Sequence, residues 1–166
     1  MSNTSSNASH AADQPSDTDS LQRSIVINAP RERVWRALSN AEEFGAWFGA
    51  DLSGQTFVPG QRNRGLFNLP GCENLYFDAV IEHIQPPDEM SMHWHPYSID
   101  TSVDYSGEIP TLVSFSLKDA PGNATLLTVV ESGFDKVPAH RRRKAFEMNS
   151  NGWEKQLQNI ARYASN

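Results

Sequence analysis

Between Leu75 and Glu131 apolar residues recur at every second position, and from Ala139 onward at every third or fourth. A period of two belongs to strands with one covered face, and a period near 3.6 to an amphipathic helix. Leu75 to Ile84, Met90 to Trp94, Val113 to Leu117 and Leu126 to Glu131 read as strands. Gln85-Pro86-Pro87-Asp88 and Ala120-Pro121-Gly122-Asn123 turn the chain, and strands joined so closely run antiparallel. Beyond them Phe146, Trp153, Leu157, Ile160 and Ala164 fall on one stripe of a helix of about seven turns. A sheet with one apolar face and one long amphipathic helix can bury both surfaces only against each other.

The start of the chain adds three elements. Gln22 to Asn28 is β-branched at its centre and reads as a strand that Asn28-Ala29-Pro30 stops. Pro30 suits the first turn of a helix, in which Val34, Trp35 and Leu38 share a side. Asn40 can cap a second short helix, with Glu42 and Glu43 in its first turn, Phe44, Trp47 and Phe48 as its apolar side and Gly49 at its end. The expected fold is α+β: a curved antiparallel sheet wrapped around a long C-terminal helix, with two short helices after the first strand. Residues 1–20 hold no aromatic or large aliphatic side chain and predict a disordered polar tail, leaving one domain over 21–166.

Charge and cysteine content narrow the roles. The net charge is -6, of which Asp13, Asp17 and Asp19 supply half within the tail, so no basic face is available for nucleic acid. The exception, Arg141-Arg142-Arg143-Lys144, reads as a solvated helix end or as a docking patch for an acidic protein partner. No apolar run approaches the ~20 residues that span a bilayer, the first residues have neither the basic start nor the apolar stretch of a signal peptide, so none is expected, and the single Cys72 fits a reducing compartment. A cytoplasmic location is therefore expected. Glycine-rich phosphate loops, Gly-x-Ser-x-Gly, Cys/His metal spacing and dinucleotide fingerprints are all missing from the sequence, so no cofactor is expected.

The order of motifs resembles a known family. Ile27-Asn28-Ala29-Pro30 leads into Arg33-Val34-Trp35-Arg36-Ala37-Leu38, then Trp47-Phe48-Gly49, Pro59-Gly60-Gln61-Arg62 and Pro86-Pro87 before a strand with Trp94. Glu131-Ser132-Gly133-Phe134 and Gly152-Trp153 follow in order. This is similar to the START-like, helix-grip superfamily (SRPBCC), and within it to the branch of the activator of the 90-kDa heat-shock-protein ATPase, over roughly residues 23–164. The superfamily includes lipid carriers, hormone receptors, aromatase/cyclases and co-chaperone domains. The resemblance implies a cavity between sheet and helix that often holds a small hydrophobic molecule.

Such a cavity would be lined by concave-face strand residues and the helix stripe: Trp94, Phe115, Phe146, Trp153 and Leu157. Glu131 continues the alternation of Leu127 and Val129 and is aimed inward, where burial would raise its pKa and suit it to acid/base work; fraying near Gly133 would instead leave it in solvent. Asn149, between Phe146 and Trp153, can hydrogen-bond a ligand or a neighbouring backbone group, and Arg142 can close the mouth over an anion or stay solvated. His93 and His95 share a strand face, and a turn at Pro87-Asp88 sets Glu82 opposite His93, a set able to hold zinc. The same alternation puts Met92 and Trp94 on the core face and both histidines outside it, so no metal site is expected. His83 is expected at the rim, and the loop over 97–110, with Asp100, Asp104 and Glu108, is long enough for a lid.

These residues predict a binder of a small hydrophobic or aromatic molecule, oriented by Glu131 and Asn149. Two alternatives stand beside it: a cyclase/dehydratase-type enzyme with Glu131 as acid/base, and a co-chaperone-like protein that meets a large ATPase through its surface.

Overall fold

The computed structural model describes residues 14–165. Strand β1 (Ser20–Ile27) is followed by helices α1 (Arg31–Ser39) and α2 (Ala41–Phe48). Strands β2 (Arg62–Leu66), β3 (Tyr76–Gln85), β4 (Glu89–Trp94), β5 (Thr111–Ala120) and β6 (Ala124–Ser132) come next, and α3 (Ala139–Ala164) closes the chain. The six strands form one antiparallel sheet in the order β1-β6-β5-β4-β3-β2, so the first strand pairs with the last. The architecture is the expected α+β helix grip, with the first strand two residues earlier than the sequence suggests.

Local chemistry explains the elements. Asn40 caps α2 by accepting from the Glu43 N–H at 3.0 Å. Gly49 ends that helix in the left-handed region at φ 98°, where a Cβ would also press on Leu69. The alternation expected of β3 to β6 holds: Phe77, Ala79, Ile81, Met90, Met92, Val113, Phe115, Leu117, Leu127 and Val129 are all buried. Helix α3 turns Ala145, Trp153, Leu157, Ile160 and Ala164 toward them. Phe44, Trp47 and Phe48 of α2 fill the centre of the grip, with Phe44 touching the rings of Phe57, Phe77 and Phe115 at 5.4 to 6.2 Å. Each such aromatic side chain contributes about 1.5–3 kcal/mol through burial.

Two departures from the sequence reading have simple causes. Strand β2 is an edge strand whose inward residues are Asn63 and Gly65, so no apolar alternation announces it. A Cβ at Gly65 would strike the Asp51 carbonyl, which fixes glycine there. The β3–β4 hairpin pairs Gln85 with Glu89 and has a bulge between Ile81 and His83, and the two together place Val80 rather than Glu82 opposite His93. The expected polar tail falls mostly on residues 1–13, outside the described residues. Of its remainder, Ser16 donates to the Asp135 carboxylate through both its N–H and its hydroxyl, and the Asp19 carbonyl accepts from Gly133 and Phe134.

Candidate functional site

Strand register builds the site. Trp94 of β4 lies opposite Thr111 of β5, and Val113, two residues further on, lies opposite Glu131 of β6. Three neighbouring strands thus bring Trp94, Thr111 and Glu131 to one end of the concave face. Helix α3 crosses above them and lowers Asn149 and Trp153, one turn apart, onto the same point.

Glu131 is at the centre and is 0% exposed. Its Oε1 accepts from Trp153 Nε1 and Asn149 Nδ2, both at 2.9 Å. Its Oε2 accepts from Trp94 Nε1 at 2.7 Å, Thr111 Oγ1 at 2.6 Å and Asn149 Nδ2 at 3.1 Å. No Lys or Arg pairs with it among the described residues. Burying a charge without a counter-ion costs several kcal/mol, and hydrogen bonds to a charged group return about 1.5–3 kcal/mol each. Burial pushes the carboxyl above its ordinary value, while Thr111, Trp94, Trp153 and Asn149 pull the other way. Thr111 suits either protonation state: its hydroxyl donates to the carboxylate, or accepts from the acid and turns its own proton toward the Trp94 carbonyl 3.4 Å away.

The carboxyl also fixes two indoles. Trp94 and Trp153 stack with centroids 5.6 Å apart and 20° between planes, and Phe48 and Phe115 meet Trp153 edge-on at 6.1 and 5.6 Å. The stack forms the inner wall of a cavity of about 430 Å³ between α3 and the β3–β4 end of the sheet. Phe48, Phe67, Leu69, Cys72 and Phe77 line one side, Tyr97 and Ile99 the loop side, and Met148, Asn149, Gly152 and Gln156 the helix side. Leu69, Tyr76, Ile99 and Met148 leave an exposed apolar rim around its mouth.

The sequence candidates divide accordingly. Trp94, Asn149 and Trp153 line the cavity, and Glu131 lies directly behind them. Phe115 and Leu157 are packed in the core, and Phe146 turns away onto Phe134 at 5.3 Å. Arg142 donates to the Val137 carbonyl at 2.9 Å and is not part of the cavity wall. Arg141, its neighbour, points inward, where its Nε donates to Glu108 at 2.9 Å and its Nη1 to the Pro96 and Tyr97 carbonyls, pinning the 97–110 loop. His93 meets Glu82 at 3.0 Å across the bulge, His95 engages the Glu108 carbonyl at 3.0 Å, and exposed His83 lies 3.4 Å from Gln85. Thr111 is the site residue that sequence reasoning missed. Carrying the alternation of Val113, Phe115 and Leu117 back by two positions finds it.

A second cavity of about 650 Å³ lies on the outward face of β2–β4 beneath the same loop. Its two arginines, Arg62 and Arg64, both pair with Asp78, and Asp100 and Asp104 line it as well, so its charges are mixed rather than of one sign.

A curved antiparallel sheet gripping one long helix, with the two in contact through an aromatic core, defines the START-like helix-grip class. Within it, residues 28–165 match the family model described as Activator of Hsp90 ATPase homolog 1-like protein, and the chain belongs to that family. Comparison with curated proteins by sequence finds no match. Among solved structures it is similar to protein MLL2253 from Mesorhizobium loti, at 21% identity and TM-score 0.65, over 87% of this chain and 95% of that one. It is also similar to a protein from Arthrobacter aurescens, at 15% identity and TM-score 0.70, over 92% and 90%, and to CalU16 from Micromonospora echinospora, at 20% and 0.58, over 88% and 76%. At these identities the likeness is one of fold. No helix among the described residues is long and apolar enough to cross a membrane.

Proposed function

We propose that this protein binds a small hydrophobic or aromatic molecule in the cavity between α3 and the β3–β4 end of the sheet. The observation that carries this reading is the stacked Trp94–Trp153 wall, held by a buried carboxyl, beside about 430 Å³ of open space between helix and sheet. That volume is within the ordinary range for small-molecule sites, and apolar walls with a few placed polar groups are their usual chemistry. Glu131 serves as the anchor of the wall. An acid/base role would need one of its oxygens to reach a substrate, yet each already accepts from at least two donors. Surface docking of a large partner through the basic run is the weaker reading, because Arg141 is spent inside the fold.

A thermal-shift screen of flat aromatics, fatty acids and sterols tests the proposal. A ligand at 100 times its Kd stabilises the fold by about 2.7 kcal/mol, which raises Tm by roughly 5–10 °C for a domain of this size. The same ligand is expected to slow alkylation of Cys72, which lines the cavity. A stabilising ligand that leaves Cys72 reactivity and indole fluorescence untouched binds elsewhere and sinks this reading.

A further inference from the structure

Asn149 is a cavity-lining amide whose orientation the Glu131 carboxyl dictates. Its Nδ2 donates to both oxygens of Glu131, at 2.9 and 3.1 Å. Turning the amide over would set Oδ1 against carboxyl oxygens, so the carboxylate, or the acid with its proton given to Thr111, selects one of the two orientations. Oδ1 then accepts from no group among the described residues. The neighbouring amides differ: Gln156 donates to the Phe48 carbonyl and accepts from Asn159, and Asn159 accepts from Arg162. Asn149 is thus left as a fixed hydrogen-bond acceptor on a wall that is otherwise mostly apolar.

One turn further along the same helix, Gly152 also lines the cavity. A Cβ built there meets nothing within 4 Å, and its backbone is ordinary helix, so neither packing nor a positive φ demands glycine. Glycine inside a helix is less stable than alanine. What the missing side chain does is keep the floor clear between Asn149 and Trp153, letting a flat group approach the helix backbone.

We propose that the cavity takes a hydroxylated aromatic molecule, its ring lying over Gly152 beside Trp153 and its O–H donating to Asn149 Oδ1. This rests on the small-molecule reading above and names the ligand class. It also divides the labour: Glu131 meets no ligand itself but sets Asn149 to read a donor. A molecule of the same shape without the donor leaves Oδ1 unpaired when it displaces water.

The matched probes 2-naphthol and 2-methoxynaphthalene test this on the full chain by calorimetry. 2-Naphthol is expected to bind about 5- to 10-fold more tightly, the worth of one net hydrogen bond. Gly152→Leu is expected to lower both affinities at unchanged or higher Tm, and Gly152→Ala to do so to a smaller degree. Equal binding of the two probes overturns the acceptor role of Asn149 while the small-molecule reading stands. Unchanged affinity in a folded Gly152→Leu variant overturns the ring position. Binding of neither probe overturns this proposal, and a simultaneous lack of any hit in the thermal-shift screen overturns the broader reading with it.

Discussion

Glu131 sits where a hydrocarbon side chain would be expected, flanked across the strands by Val113 and Leu21, both buried. Its contribution is geometric, because an indole N–H can only donate and two indoles here need acceptors. Replacing it by glutamine leaves one oxygen and one NH2 group in the space of two oxygens. Whichever way the amide turns, an indole N–H then faces another donor. Glu131→Gln should therefore cost about 1–3 kcal/mol at pH 5, the penalty of a buried unsatisfied group. Urea unfolding measures it, and a shift in the near-ultraviolet circular dichroism of the indoles should accompany it. Equal stability of the two proteins would mean the carboxyl does not hold the tryptophans. The inward aim of Glu131 was legible from Leu127 and Val129, since strand geometry carries side-chain direction along the sequence. Its donors were only partly legible. Asn149 and Trp153 lie one turn apart on a helix whose stripe is plain, but Trp94 and Thr111 meet Glu131 through cross-strand register, which a single strand's pattern does not contain.

At the level of elements, the sequence shows the sheet and helices and hides what joins them. The 97–110 segment reads as a polar loop, and the basic run 141–144 as a solvated helix end; nothing local links them. In the fold, Arg141 bridges the two. Its guanidinium meets Glu108 and two carbonyls and lies 4.7 Å from the Tyr105 ring centroid. Both partners of the Arg141–Glu108 pair are largely shielded, at 11% and 17% exposure, so the pair escapes much of the screening that weakens surface bridges. Arg141→Ala should loosen the loop at a global cost of about 1–2 kcal/mol, below that of breaking a fully buried pair. Arg141→Lys should recover little, because an ammonium cannot reproduce the planar fork. Hydrogen exchange over 97–110 reads the outcome: faster exchange confined to that loop is expected, and exchange unchanged from the parent would show that Arg141 is not what holds it. Because Tyr97 and Ile99 of this loop line the cavity, the same variant should also weaken ligand binding.

For the molecule as a whole, the arrangement leaves a pH dependence of two opposing signs. Hydrogen bonds from Ser53, Ser102, Ser106 and Ser16 hold Asp51, Asp100, Asp104 and Asp135 below their ordinary values. Stability from these groups is present above the unfolded pKa, about 3.9, and is lost as pH falls through the lower folded values. Glu131 runs the other way. Burial raises its folded pKa, so the native state keeps a proton that the unfolded chain, titrating near 4.3, has already released. With more protons bound in the native state, stability falls as pH rises from the unfolded value to the raised folded one, by at most about 1.4 kcal/mol per pH unit. Glu131→Gln has no such limb. The stability gap between parent and variant should therefore be widest near pH 4–5 and narrow toward neutrality, as the parent takes on the cost of burying its charge. Urea unfolding of both proteins from pH 4 to 8 provides the test. Parallel curves would mean that Glu131 titrates alike in the folded and unfolded chains, and that its four donors balance burial completely. Convergence would show that the aromatic wall is held by a carboxyl whose charge the fold opposes.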